Sequence, residues 1–313
     1  MAIGFRLIFL DREKTIFTFR DFKTKLSAAI AVLLSISFTS ACTNKETQFQ
    51  QAVASYQAGD YNQAFELFQV LAEQGDAESQ FVLGMLYDDG EGVKQNYQQA
   101  AEWYQKAANQ GHAMAQYNLG ILYQFGLGVA EDDKQALLWF QKAANQGFAT
   151  AQFNLGVMYE NGQGVGQNYK QAAEWYQKAA DQGDVQAQFN LGVMYEDGLG
   201  VAQDYQQAAA WFLKAANLGD VKAQYALGNM YRSGQGVAED ARQAAVWYQK
   251  AAEQEHIGAQ FNLGVMYYNG HGVAQDDQQA KAWWQRVLAQ PDISENEEYK
   301  TAAQNALHNT NIP

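Results

Sequence analysis

Glycine returns every 36 residues in this chain, at Gly84, Gly120, Gly156, Gly192, Gly228 and Gly264. Tryptophan keeps the same step at Trp103, Trp139, Trp175, Trp211, Trp247 and Trp283. Tyrosine keeps it at Tyr87, Tyr123, Tyr159, Tyr195, Tyr231 and Tyr267. A G-x-G-V turn follows each tyrosine, as at Gly90/Gly92 and Gly162/Gly164. A period of this length in six uninterrupted copies prescribes a stack of like units, each contacting its neighbours.

One unit runs from Ala151 to Gly183. Its first part, Ala151 to Tyr159, has apolar residues at i, i+4 and i+8, a helical spacing. Its second part, from about Asn168 to Gln182, puts Ala172, Trp175, Tyr176, Ala179 and Ala180 on one stripe. Asn168, with Asp204, Asp240 and Asp276 at equivalent places, is suited to accept the free N–H groups at the start of that second helix. Gly183 suits a left-handed helix end. The glycines of the turn supply positive φ or close approach. Each unit is therefore an antiparallel pair of helices. Gly156 and the alanines allow close approach, and Trp and Tyr are expected to fill the gap between units. Only two prolines in 313 residues suit a helical chain.

The ends depart from the pattern. Ala52 to Gly75 reads as a seventh hairpin with a shorter turn. Glu255 stands where earlier repeats have glycine, and Pro291 breaks the pattern. Ser294 and Glu297 form a capping box opening a final helix to about His308. Its Tyr299, Ala302, Ala303, Ala306 and Leu307 are expected to cover the last repeat.

The pattern A-x-x-x-L-G-x-x-Y-x-x-G-x-G-V, followed by A-x-x-W-Y-x-K-A-A-x-x-G, resembles the Sel-one-like repeat, a subclass of tetratricopeptide-like repeats. The resemblance covers residues 77–290, about two-thirds of the chain. The family often has proline after the G-V; here that position is Lys94, Ala130, Gly166, Ala202, Ala238 or Ala274. The resemblance implies an all-α fold, a right-handed α/α solenoid of about seven helical hairpins over 52–290, with a C-terminal capping helix and tail over 291–313. It implies a protein–protein interaction scaffold or adaptor, and it implies that the first helix of each repeat lines a concave face.

Residues 1–41 read as a signal peptide. Basic residues precede an apolar run from Leu26 to Phe38, too short to span a bilayer comfortably, and small residues Thr39 to Ala41 follow. The Ala41-Cys42 junction resembles a bacterial lipoprotein signal, which makes Cys42 the lipid attachment point. Residues 42–51 are then a short linker. Thr39 stands where such signals usually carry leucine, and plain secretion to the periplasm or beyond remains an alternative. Thr43 after the cysteine leans toward the outer membrane, facing the periplasm.

A net charge of −13 argues against nucleic-acid binding and favours a partner with a basic surface. Six basic and three acidic residues precede Cys42, so the remainder is more acidic still. A single cysteine excludes a disulfide framework and a multi-cysteine metal site. The glycine turns lack the Lys-Ser/Thr of a phosphate loop. Asp88, Asp89 and Glu91 lack the ligand alternation of a calcium loop. The four histidines share no spacing. We expect no enzyme activity and no cofactor. The tryptophans read as core, and Lys106 and its equivalents as solvated helix ends.

Candidate contacts lie on the first helices. Asn118, Asn154, Asn190 and Asn262 form a ladder, interrupted by Val82 and Ala226. Asparagine both donates and accepts, so a ladder suits an extended peptide backbone; helix capping or bridging is the alternative. One turn earlier the residue varies freely, as Glu78, Met114, Thr150, Gln186, Lys222 and Gly258, which partner-specific recognition needs and drift also produces. Phe125, Leu127 and Leu199 in the turns offer a second strip. Family members include envelope lipoproteins of polysaccharide secretion and cysteine-rich relatives described as binding or hydrolysing β-lactams. The alternatives are thus a peptidoglycan- or polysaccharide-binding envelope protein and, more remotely, a β-lactamase-like enzyme.

Overall fold

A computed structural model describes residues 42–291 and 296–309. The expected signal peptide, the Cys42 side chain and Ser294 of the expected capping box lie outside the described residues and side chains. Among those described, the chain is fifteen α-helices with no strand: α1 (Cys42–Gln57), α2 (Tyr61–Glu73), α3 (Ala77–Asp89), α4 (Tyr97–Asn109), α5 (Ala113–Phe125), α6 (Asp133–Asn145), α7 (Ala149–Asn161), α8 (Tyr169–Asp181), α9 (Val185–Asp197), α10 (Tyr205–Asn217), α11 (Val221–Ser233), α12 (Ala241–Glu253), α13 (Ile257–Asn269), α14 (Asp277–Ala289) and α15 (Glu297–Asn309). Residues 42–51, expected as a linker, are the first part of α1. Lys45 pairs with Asp76 at 3.0 Å, and Phe49 meets Phe68 edge-on at 5.7 Å, so α1 is tied to the hairpins that follow.

The chain divides into two compact units between Gln167 and Asn168. The first holds α1 to α7 and the second α8 to α15. Within each, consecutive helices pack in chain order as an all-α stack of helical hairpins. The helix ends follow from the caps. Asn96, Asp132, Asn168, Asp204, Asp240 and Asp276 each accept backbone N–H groups at the start of a second helix. First helices end on left-handed glycines such as Gly126, with φ 63°.

The two turn glycines have different tasks. Gly126 ends α5. A Cβ on Gly128 would lie 2.2 Å from the backbone carbon of Tyr97, so this second glycine lets the turn press against the preceding hairpin. Within a hairpin, a Cβ on Gly120 would lie 2.7 Å from the Phe140 ring, and Gly84, Gly192, Gly228 and Gly264 meet Tyr104, Phe212, Tyr248 and Trp284 likewise. The aromatic against the helical glycine is therefore the one after the periodic tryptophan, and it fills the inside of a hairpin.

Glutamines hold the joints between successive hairpins. Gln80, Gln116, Gln224 and Gln260 are buried and donate through Nε2 to Ala72, Ala108, Ala216 and Ala252 carbonyls at 3.0–3.2 Å. Their Oε1 atoms accept from Gln110, Gln146, Gln254 and Gln290 at 2.7–3.5 Å. Each pair adds a side-chain donor to a helix-end carbonyl that already accepts a backbone N–H, and so ties one hairpin to the next. These glutamines recur at the 36-residue step, so the period carried a signal for them that helix patterning did not interpret.

Candidate partner-binding face

The expected contact residues fall into two groups. Met114 and Thr150 are half-buried, and Gln186 and Lys222 are exposed, all near the starts of first helices. The asparagines lie deeper. Asn118 and Asn154 are 1% exposed and Asn190 is 9% exposed, while Asn262 is half-buried. The ladder is thus not an open rail of side chains. In the first unit it is buried. Asn154 donates to the Tyr117 hydroxyl at 3.4 Å. Its Oδ1 is buried without a hydrogen bond among the described residues, and the buried Asn118 amide faces the Tyr104 hydroxyl. Leu127, expected on an accessible strip, is 7% exposed; Phe125 and Leu199 are half-buried.

Beside Asn118 lies Tyr104, whose hydroxyl donates to Asp88 at 3.1 Å. Burial, with the neighbouring Asp89 charge, pushes the Asp88 carboxyl up to about 7, and burial with Glu91 pushes Asp89 up to about 6. Glu91 accepts a hydrogen bond from Tyr56. The Tyr104–Asp88 contact lies within one hairpin, and the Tyr56–Glu91 contact joins it to the preceding one.

Three residue types have roles beyond those read from spacing. His112 and His256 are the N-terminal caps of α5 and α13, accepting the Ala115 and Ala259 N–H groups through Nδ1. Their rings stack on Phe81 and Tyr225 at 4.5 and 4.3 Å. Phe148 holds the same place without capping and packs on Tyr117 at 5.3 Å. Lys106, Lys142, Lys178, Lys214 and Lys250 set their Nζ atoms 3.4–3.9 Å from the tryptophan ring three residues earlier, and Arg286 covers Trp283 at 4.3 Å. The lysines are exposed helix-end cations, as their position implied, but each also roofs a tryptophan. Trp139, Trp211, Trp247 and Trp283 are 5–6% exposed beneath these cations, while Trp103 and Trp175 are half-buried.

The second unit leaves one side of α11 open. Lys222 and Arg232 are exposed there, with Tyr225, Ala226 and Asn229 half-buried between them. Tyr225 reaches the hydroxyl of Tyr299 from α15 at 3.2 Å. No helix among the described residues is long and apolar enough to cross a membrane.

The Sel1 repeat matches seven consecutive stretches, residues 55–76, 77–112, 113–148, 149–184, 185–220, 221–256 and 257–290. The crystal structure of c5321, a protective antigen of uropathogenic Escherichia coli strains with an SLR fold, is similar at a TM-score of 0.76 and 39% identity. That match covers 77% of this chain and 53% of the antigen, so the chain spans about half the antigen's length. A Sel1 repeat protein from Oxalobacter formigenes has a TM-score of 0.66 and 33% identity, with 79% of this chain and 98% of that one covered. No curated protein matches the chain. With seven matched repeats folded as a stack of helical hairpins, the chain belongs to the Sel1 repeat family.

Proposed function

We propose that this protein is a non-enzymatic scaffold or adaptor of the bacterial cell envelope that binds a protein partner on the concave face of its first helices. Family membership supports the general role, since such repeats serve protein–protein interaction. The observation that carries the rest is that Met114, Thr150, Gln186 and Lys222, which differ from repeat to repeat, stay accessible near the starts of the first helices, one turn before Asn118, Asn154, Asn190 and Ala226. An extended backbone offers N–H and C=O groups in alternation and matches an amide ladder. The accessible Met114, Thr150, Gln186 and Lys222 then select among partners. The acidity of the chain favours a partner whose remaining surface is basic. The leader sequence and Cys42 support export and lipid anchoring at the outer membrane, on the periplasmic side. The likeness to a protective antigen fits an envelope protein.

A pull-down from envelope extract, comparing the native chain with Asn118→Ala, Asn154→Ala and Asn190→Ala combined, tests the amide ladder. Loss of the captured protein is expected; unchanged capture overturns it.

A further inference from the structure

One residue of α11, Tyr225, is met by the chain's own α15, which packs on α13 and α14. Tyr299 of α15 lies over Phe261, with ring centroids 6.1 Å apart, and its hydroxyl meets that of Tyr225. Gly258 makes the space: a Cβ there would lie 2.9 Å from the Tyr299 hydroxyl and 3.1 Å from the Tyr225 ring. Every other repeat with a residue at this step has a side chain in that place, from Glu78 to Lys222. The missing side chain is thus a slot for a tyrosine.

Two basic residues stand along α11 to either side of Tyr225, Lys222 beside the Asp220 cap and Arg232 toward the other end. Lys222 and Arg232 are exposed on the same side of α11, and neither forms an ion pair among the described residues. Lys222 is within electrostatic reach of His256, whose ring stacks on Tyr225, and Arg232 of the Tyr248 hydroxyl. The occupant brings the opposite sign, since α15 opens Glu297-Glu298-Tyr299. It is also lightly held. Ala303 is the one fully buried side chain among the described residues of α15, with Tyr299, Ala306 and Leu307 half-buried, whereas α14 buries Ala280, Trp283, Trp284 and Val287. An element with so little buried apolar surface is the first to lift away.

We infer that the tyrosine slot at Gly258, bordered by the side of α11 between Lys222 and Arg232, is a seat for an acidic segment carrying a tyrosine, which the chain's own Tyr299 fills at rest and a partner's segment displaces. The seat rests on the scaffold reading and names the chemistry that one part of the face recognises. A self-ligand lowers apparent affinity for a partner in proportion to how rarely it opens, so the helix sets a threshold for binding.

A fluorescent peptide of residues 296–309, added in trans to the full chain and followed by anisotropy, tests this. The Tyr299→Ala chain should bind it at least tenfold more tightly than the native chain, whose own helix competes. Adding Lys222→Glu and Arg232→Glu to that variant should cost at least tenfold, and Gly258→Met should abolish binding by filling the slot. A peptide with tyrosine replaced by alanine should not bind. Equal binding by native and Tyr299→Ala chains, or indifference to the charge reversals, overturns the seat. Unchanged far-UV circular dichroism confirms that each variant is folded. If Tyr299→Ala fails that check, the native chain at high peptide concentration must show the same dependence on Lys222 and Arg232. Envelope capture is scored separately. Capture without peptide binding overturns the seat alone; peptide binding without capture overturns the scaffold reading alone.

Discussion

Leu218 breaks a pattern that the rest of its surroundings keep. It stands where Gln110, Gln146, Gln254 and Gln290 each donate to the glutamine thirty positions earlier. At this joint Gln188 still donates to the Ala180 carbonyl at 3.2 Å, but its Oε1 is buried without a partner, and Leu218 is 59% exposed. Leu218→Gln supplies the missing donor and removes an exposed apolar side chain. It should stabilise the chain by about 1 kcal/mol, seen as a higher urea midpoint. A lower midpoint overturns this account of the joint. Glu255 is a second exception of this size. Its φ of 66° is the one positive value outside glycine among the described residues, at a place where Gly75, Gly111, Gly147, Gly183 and Gly219 stand in other repeats. A Cβ in the left-handed region costs about 1–2 kcal/mol, so Glu255→Gly should stabilise by a comparable amount. No gain in the thermal midpoint would mean that the glutamate makes a compensating contact. Both exceptions were legible as breaks in the period. Their cost was not, because it depends on which atoms a neighbouring hairpin buries.

The helices themselves were legible because each carries its own boundary signals. The Asn and Asp caps of the second helices and the left-handed glycines of the first lie where spacing puts them. First-helix caps are more varied, and this gives one element a pH response. Asp184 and Asp220 cap α9 and α11, while His256 caps α13. Burial, with a smaller contribution from Lys222, drives the His256 imidazole down from 6.5 to about 4. Between these values the unfolded chain binds a proton that the folded chain refuses, so stability falls as pH drops through that window. Protonation also removes the Nδ1 acceptor that holds the Ala259 N–H. The loss approaches about 3 kcal/mol at its fullest. His256→Asp retains a cap and should lose much less stability between pH 7 and pH 4.5, measured by denaturant unfolding. Equal losses in the two chains would place the acid response elsewhere.

At the scale of the molecule, the proposed lipidation of Cys42 is the feature that bears on where the protein works. Cys42 is the first residue of α1, so a lipid attached there joins the stack with no flexible spacer between. Cys42→Ser should move the protein from the membrane fraction to the soluble fraction. Persistent membrane association of that variant would reject lipidation. The sequence by itself determined the repeat, its helical hairpins, their caps and the family, because each depends on residues close in the chain or one period apart. It also marked the first helices as the face to watch. Only the tertiary structure decided how deep that face lies. Asn118 and Asn262 occupy equivalent positions in the sequence, yet one is 1% exposed and the other half-buried, since burial depends on everything packed around a residue and not on its place in the period. The same holds for Gly258: in the sequence it is one more variable position, and in the fold it is the space into which Tyr299, 41 residues later, is received.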